Sequence, residues 1–80
     1  MKMTDKKLKE LIAQYCNVKA EDITDGMRFR EDLEFSSLDF MAFLGELEDE
    51  LDMEADEEEV LKIRTVGEAA SYIANIEAAV

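Results

Sequence analysis

Apolar residues recur with a helical period in three stretches of this chain and with no period in a fourth. Leu8, Leu11, Ile12 and Tyr15 fall at i, i+3, i+4 and i+7, which lays them along one face of a helix. Thr4 stands ahead of them as an N-cap with Asp5 in the first turn. A helix is therefore predicted from residue 4 to residues 16–17, with Asn17 in the left-handed cap. From 17 to 35 no period persists. Thr24-Asp25-Gly26 signals a turn, and Val18, Ile23, Met27, Phe29, Leu33 and Phe35 are scattered through the segment. A loop this long is uncommon unless its apolar residues fasten it to the core, and that is the expectation here.

The period returns after Ser36. Ser36-Ser37-Leu38-Asp39 fits a capping box, with Ser36 as N-cap and Asp39 as its partner at N3. Leu38, Met41, Leu44, Leu47 and Leu51 follow at helical spacing and carry the second helix to residue 51. A short helix is expected over 57–62, with Asp56 and Glu59 as another box. Thr65-Val66-Gly67-Glu68 opens the last helix, whose apolar side holds Val66, Ala69, Ala70, Ile73 and Ile76. No run alternates with a period of two, so no strand is predicted. The fold class is all-α, a small antiparallel bundle of three main helices plus one short helix, with residues 1–80 as a single domain.

Composition narrows the function. The net charge of −12 on 80 residues argues against binding nucleic acid or an anionic membrane, since both need a positive field. No segment approaches the apolar length that spans a bilayer, and the basic start has no apolar run behind it, so no secretory signal is read there. With no His and one Cys, no zinc ligand set, disulfide or imidazole base is available, and no catalytic or metal residue is assigned. The single Cys16 suits a reducing, cytoplasmic setting and is expected to be a small buried apolar residue. Met27, Met41 and Met53 are expected to fill gaps in the core.

The charge is also unevenly placed. Residues 31–60 hold 14 acids and no Lys or Arg, so the excess sits on and around the second helix. That arrangement fits a docking face for a basic partner, or simply a solvated surface. The segment Asp49 to Glu54 fails as a calcium loop, because Leu51 and Glu54 stand where a ligand and a Gly are required. Ser36 and Ser37 remain. A helix N-terminus presents free N–H groups and the positive end of a dipole, so a phosphorylated group attached to a hydroxyl there is stabilised. The plainer reading is two serines at a helix start, one of them a cap.

At Ser36-Ser37-Leu38-Asp39 the chain resembles the acyl carrier proteins, whose motif is Asp-Ser-Leu-Asp. The likeness extends through Val18-Lys19-Ala20-Glu21-Asp22-Ile23-Thr24, Phe29-Arg30-Glu31-Asp32-Leu33 (the family's Phe-x-Glu-Asp-Leu), Leu47-Glu48-Asp49-Glu50-Leu51 and Lys62-Ile63-Arg64-Thr65-Val66-Gly67-Glu68-Ala69, over about residues 5–76. The resemblance implies a carrier of acyl thioesters on a covalent 4′-phosphopantetheine arm, drawn from coenzyme A and attached at Ser37, in fatty-acid or polyketide-type biosynthesis. It implies a monomer that is not an enzyme. Its partners would be a phosphopantetheinyl transferase and acyl-transfer and condensing enzymes with basic patches. Leu38, Asp39, Phe40, Met41, Ala42, Glu46, Glu48 and Asp49 would form the docking face. The alternative is an acidic helical module that docks a basic protein and carries nothing.

The departures from the family pattern matter. Ser36 replaces the Asp thought to help hold the metal during loading. Glu34-Phe35 stands where Gly and a small residue are common, and Phe40-Met41-Ala42 replaces a small polar residue followed by Val-Glu. Phe40 is accordingly expected to face solvent and make the docking face more apolar. Ala69, Ala70 and Ala74 offer small side chains between which an acyl chain is expected to slip.

Overall fold

A computed structural model of the chain describes residues 3–78. The elements are α1 (Asp5–Ala13), a 3₁₀ turn (Ala20–Asp22), α2 (Ser37–Leu51), α3 (Glu57–Val60) and α4 (Val66–Ala78). Among the described residues three α-helices are long and one is short, as the periodicity predicts. Among the described residues the extended pairing is limited to one antiparallel bridge, Arg28 with Thr65.

The Thr4 hydroxyl caps α1 by accepting the Lys7 N–H at 3.1 Å. The helix ends earlier than predicted. Gln14 and Tyr15 donate to the carbonyls of Leu11 and Ile12, three residues back, so the last turn tightens before residue 16. Asn17 does not adopt the left-handed conformation; among the described non-glycine residues that role falls to Glu34 and Asp52. Half-buried Cys16 lies with its Sγ 3.5 Å from the Ile12 carbonyl oxygen, so it closes this turn more than it fills the core. The 3₁₀ turn, three residues long, is too short to leave a period in the sequence.

The long loop is fastened as expected. Ile23, Phe29, Leu33 and Phe35 are buried, while Val18 and Met27 pack half-buried against the core. Backbone bonds tie the loop to the entry of α4: Phe29 N–H to the Arg64 carbonyl (2.9 Å), Val66 N–H to Met27 (2.9 Å) and Gly67 N–H to Asp25 (2.8 Å). A side chain at Gly67 would bring its Cβ to 3.1 Å from the Asp25 carbonyl oxygen, so this close approach favours glycine.

The bounds of α2 agree with prediction, but its rotation does not. Leu38 and Met41 are 82% and 65% exposed, whereas Phe43, Leu44 and Leu47 are buried. Two apolar stripes compete on this helix, and the one holding the large aromatic rings turns inward because it removes more apolar area from water. Phe40 is likewise half-buried, its ring 5.3 Å from that of Phe29 and 6.3 Å from that of Phe43, which corrects its expected exposure. Met41 is therefore surface, not core filler; Met27 and Met53 are half-buried. At the far end Asp52 is left-handed (φ 51°) and Met53 N–H reaches back to the Glu48 carbonyl at 3.1 Å, a Schellman-type stop.

The short helix α3 stops at Val60, not at residue 62. Asp56 caps it through the Glu58 N–H at 2.9 Å, and the expected partnership with Glu59 is not the one made. The box at α4 is complete: Thr65 Oγ1 accepts the Glu68 N–H at 3.1 Å and Glu68 Oε1 accepts the Thr65 N–H at 3.0 Å. Of the small residues on α4, Ala69 is buried, Ala70 half-buried and Ala74 exposed, so they do not form one inward stripe. The core joins Leu8, Leu11 and Ile12 of α1 to Phe43, Leu44 and Leu47 of α2, and to Val66, Ala69 and Ile73 of α4.

Candidate functional site

All four phenylalanines of the chain lie beneath the start of α2. Phe35 precedes the cap and Phe40 begins the second turn, the two positions a hydrophobic staple uses. They are joined through Phe29, whose ring centroid lies 5.2 Å from that of Phe35 and 5.3 Å from that of Phe40. Phe43 completes the group, with Tyr15 packed edge-on against Phe35 and Phe43. The end of α2 that carries the two serines thus stands on a rigid aromatic base.

Above that base the capping box is complete. Ser36 Oγ accepts the Asp39 N–H at 3.1 Å, and Asp39 Oδ2 accepts the Ser36 N–H at 2.9 Å. Ser36 is consumed by this role. Ser37, the first helical residue, is exposed and has no capping task. Among the described residues no acceptor is found for the N–H groups of Ser37 and Leu38, which face the end of the helix where an anion is favoured. The Ser37 hydroxyl accepts a hydrogen bond from Arg30 Nη2 at 3.1 Å.

Arg30 is the residue the sequence reading passes over. It is the last cation before the acidic stretch, seven positions ahead of Ser37, and no helical period connects the two. The turn between them does. Arg28 N–H and Nε both donate to Asp32 Oδ2 (2.8 and 3.2 Å), and Asp32 and Leu33 N–H both return to the Arg28 carbonyl at 3.0 Å. The Arg28 backbone N–H, and then its guanidinium, hold the Asp32 carboxyl below the usual carboxylate range. Asp32 in turn raises the already high pKa of Arg28. Glu34 closes the turn in the left-handed region at φ 56°.

The expected docking residues do not all share one state. Leu38, Met41, Ala42 and Asp49 are exposed, and Asp39 is partly covered by its capping role. Glu48 is half-buried and accepts the Ala55 N–H at 3.0 Å, which ties down the chain after α2. Glu46 is half-buried close to Tyr15; burial first, and the Glu46 carboxylate second, push the Tyr15 hydroxyl up. The exposed part of α2 next to Ser37 is therefore an apolar pair, Leu38 and Met41, beside Ala42, with the acids Asp49 and Glu50 further along.

The start of α2 thus joins a capped helix end to an exposed Ser37 hydroxyl that meets Arg30 and takes no part in the cap, a geometry compatible with a group held covalently there. The family described as "Phosphopantetheine attachment site" matches residues 6–73 of this chain. An acyl carrier protein of Lactobacillus acidophilus is 43% identical over 67 residues, 84% of this chain and 84% of that relative. Among solved structures, the acyl carrier protein from Enterococcus faecalis superposes with a TM-score of 0.76 at 35% identity, over 91% of this chain and 98% of that one. A chain from Mycobacterium tuberculosis described as an acyl carrier protein superposes with a TM-score of 0.81 at 27% identity, over 88% and 93%. The chain belongs to the acyl carrier protein family. It is a non-catalytic carrier of acyl groups on covalent 4′-phosphopantetheine, and it works with transferases and acyl-handling enzymes. Among the described residues no helix is long and apolar enough to cross a membrane.

Proposed function

We propose that Ser37 is the attachment residue and that residues 1–80 form one carrier domain acting as a monomer in the cytoplasm, in fatty-acid or polyketide-type biosynthesis. The observation that carries the proposal is the division of labour between the two serines: Ser36 caps α2, and the Ser37 oxygen is left exposed for a covalent link. The donors around that oxygen, Arg30 Nη2 and the N–H groups that open α2, suit a phosphodiester. The arm supplies a terminal thiol that holds the acyl group as a thioester. The protein's own residues fix the point of attachment, favour its negative charge and steer the complex.

Loading joins Ser37 Oγ to the phosphorus that bears the pantetheine of coenzyme A. The bond to the 3′,5′-ADP half breaks, and the hydroxyl proton passes to the transferase. The partners we propose are a phosphopantetheinyl transferase and acyl-transfer and condensing enzymes with basic patches. They would approach along α2, with Leu38 and Met41 entering an apolar contact and Asp49 and Glu50 steering from the rim.

The test is an incubation with coenzyme A, Mg²⁺ and a broad-specificity phosphopantetheinyl transferase, followed by intact mass. The wild-type protein should gain one phosphopantetheine and Ser37→Ala should gain none. An unchanged mass in the wild type with several transferases would overturn the proposal and favour an acidic docking module that carries no arm.

A further inference from the structure

We infer that Arg30 is a phosphate-positioning residue: its guanidinium, which donates to the Ser37 hydroxyl at 3.1 Å, pairs with the phosphodiester once the arm is attached. The inference rests on attachment at Ser37 and adds a residue that the family lead-in leaves open, since Arg30 occupies the variable place in Phe-x-Glu-Asp-Leu.

Three observations support it. The first is direct contact between Arg30 Nη2 and the oxygen that becomes the bridging atom. The second is the allocation of nearby charge. Glu31 and Asp32, immediately next to Arg30 in sequence, are both taken by Arg28 at 3.2 Å. Among the described residues no carboxylate lies within 4.0 Å of the Arg30 guanidinium, so its charge is not already neutralised by a partner. The third is anchoring. Phe29, one residue before Arg30, is buried and donates its N–H to the Arg64 carbonyl at 2.9 Å, and the Arg28–Asp32 bonds close the turn from both sides. An arginine on so fixed a turn loses less freedom on binding than one on a free loop.

The local field explains what Arg30 contributes. A phosphodiester at Ser37 brings a negative charge into a chain segment that holds 14 acids and no Lys or Arg from residue 31 to residue 60. The Asp39 carboxylate is two residues away and is held by the cap. The N-terminus of α2 offsets part of the repulsion, and Arg30 adds a full opposite charge with the planar donor pair that suits phosphate oxygens.

The test uses wild-type protein, Arg30→Gln and Arg30→Lys, each loaded and checked by intact mass. Arg30 is exposed, so all three should melt alike before loading. The readouts are the ³¹P chemical shift of the phosphodiester and the side-chain Nε–H signal of Arg30, compared before and after loading. In the wild type the Arg30 signal should move on loading. The ³¹P shift of loaded Arg30→Gln should differ from wild type, with Arg30→Lys in between, and the difference should shrink as salt rises. The transferase kcat/KM should fall about three- to ten-fold in Arg30→Gln, the size of one exposed charge-assisted hydrogen bond. Identical ³¹P shifts in all three loaded proteins, with an unmoved Arg30 signal, would overturn the inference while leaving Ser37 as the attachment residue. A wild type that gains no mass would overturn both.

Discussion

At the scale of single residues, adjacent serines do different work because a helix start assigns them different geometry. Ser36 sits outside the helix with an extended backbone and lends its oxygen to the Asp39 N–H, while Ser37 is inside it and its oxygen takes no part in the cap, meeting Arg30 instead. Ser36→Ala should destabilise the fold by about 1 kcal/mol, the usual loss for a removed N-cap, yet leave the Ser37 oxygen, the proposed attachment point, in place. Urea unfolding and intact mass after loading check the two halves separately. Ser36→Asp keeps a capping oxygen and adds a carboxylate beside the attachment point, so it should load faster than wild type at limiting Mg²⁺; equal rates would show that the missing Asp has no consequence for loading. Glu34 is a second residue-scale case. Its left-handed backbone costs a side-chain-bearing residue about 1–2 kcal/mol, which glycine avoids at the expense of about 0.5–1 kcal/mol of extra unfolded-state freedom. Glu34→Gly should therefore raise stability by up to about 1 kcal/mol, or roughly 4–8 °C in Tm for a domain of this size. A lower Tm would contradict the strain. The two serines were readable in sequence because caps are local. Arg30 was not, because its contact with Ser37 is created by a turn closed through Arg28 and Asp32 rather than by any fixed spacing.

At the scale of elements, local signals locate helix starts better than they orient helix faces. The starts of the four α-helices among the described residues follow from Thr4, Ser36, Asp56 and Thr65. The rotation of α2 did not follow, because Leu38 and Met41 fit the helical period as well as Phe40 and Phe43 do, and only the tertiary packing of Phe29 and Phe35 decides between the stripes. Phe43 is fully buried at the centre of that packing, so Phe43→Ala should cost about 3–5 kcal/mol, a large part of the stability available to a chain of this length, and leave little folded protein at 37 °C by circular dichroism. The entry of α4 makes a pH prediction. The N–H of Arg64, then that of Thr65 and its hydroxyl, hold the Glu68 carboxyl below its ordinary value. A depressed carboxyl contributes stability that is complete above its unfolded-state value and is lost as pH falls through its folded-state value. Unfolding free energy should accordingly drop as pH falls below about 4, and Glu68→Gln should flatten that acid limb. An unchanged acid limb in the variant would count against the role assigned to the box.

At the scale of the whole molecule, a net charge of −12 opposes the compact state, and most of the repulsion belongs to one face. The 14 acids of residues 31–60, with no Lys or Arg among them, should gather divalent cations loosely at clustered carboxylates, beyond what ionic strength alone screens. Millimolar Mg²⁺ should raise Tm above that in Na⁺ of matched ionic strength, with no saturating one-to-one step; equal melting in the two salts would contradict this. For the proposed docking, a −14 stretch that contains an exposed apolar pair should give fast, weak, salt-sensitive contact with a basic partner. What concentrates this surface into a carrier is one oxygen. Trypsin can show which one, because residues 31–62 contain no internal Lys or Arg and leave as a single peptide holding both serines. Fragmentation of that peptide from the loaded protein should place the phosphopantetheine on Ser37, with Ser36 unmodified; an arm found on Ser36 would contradict the account.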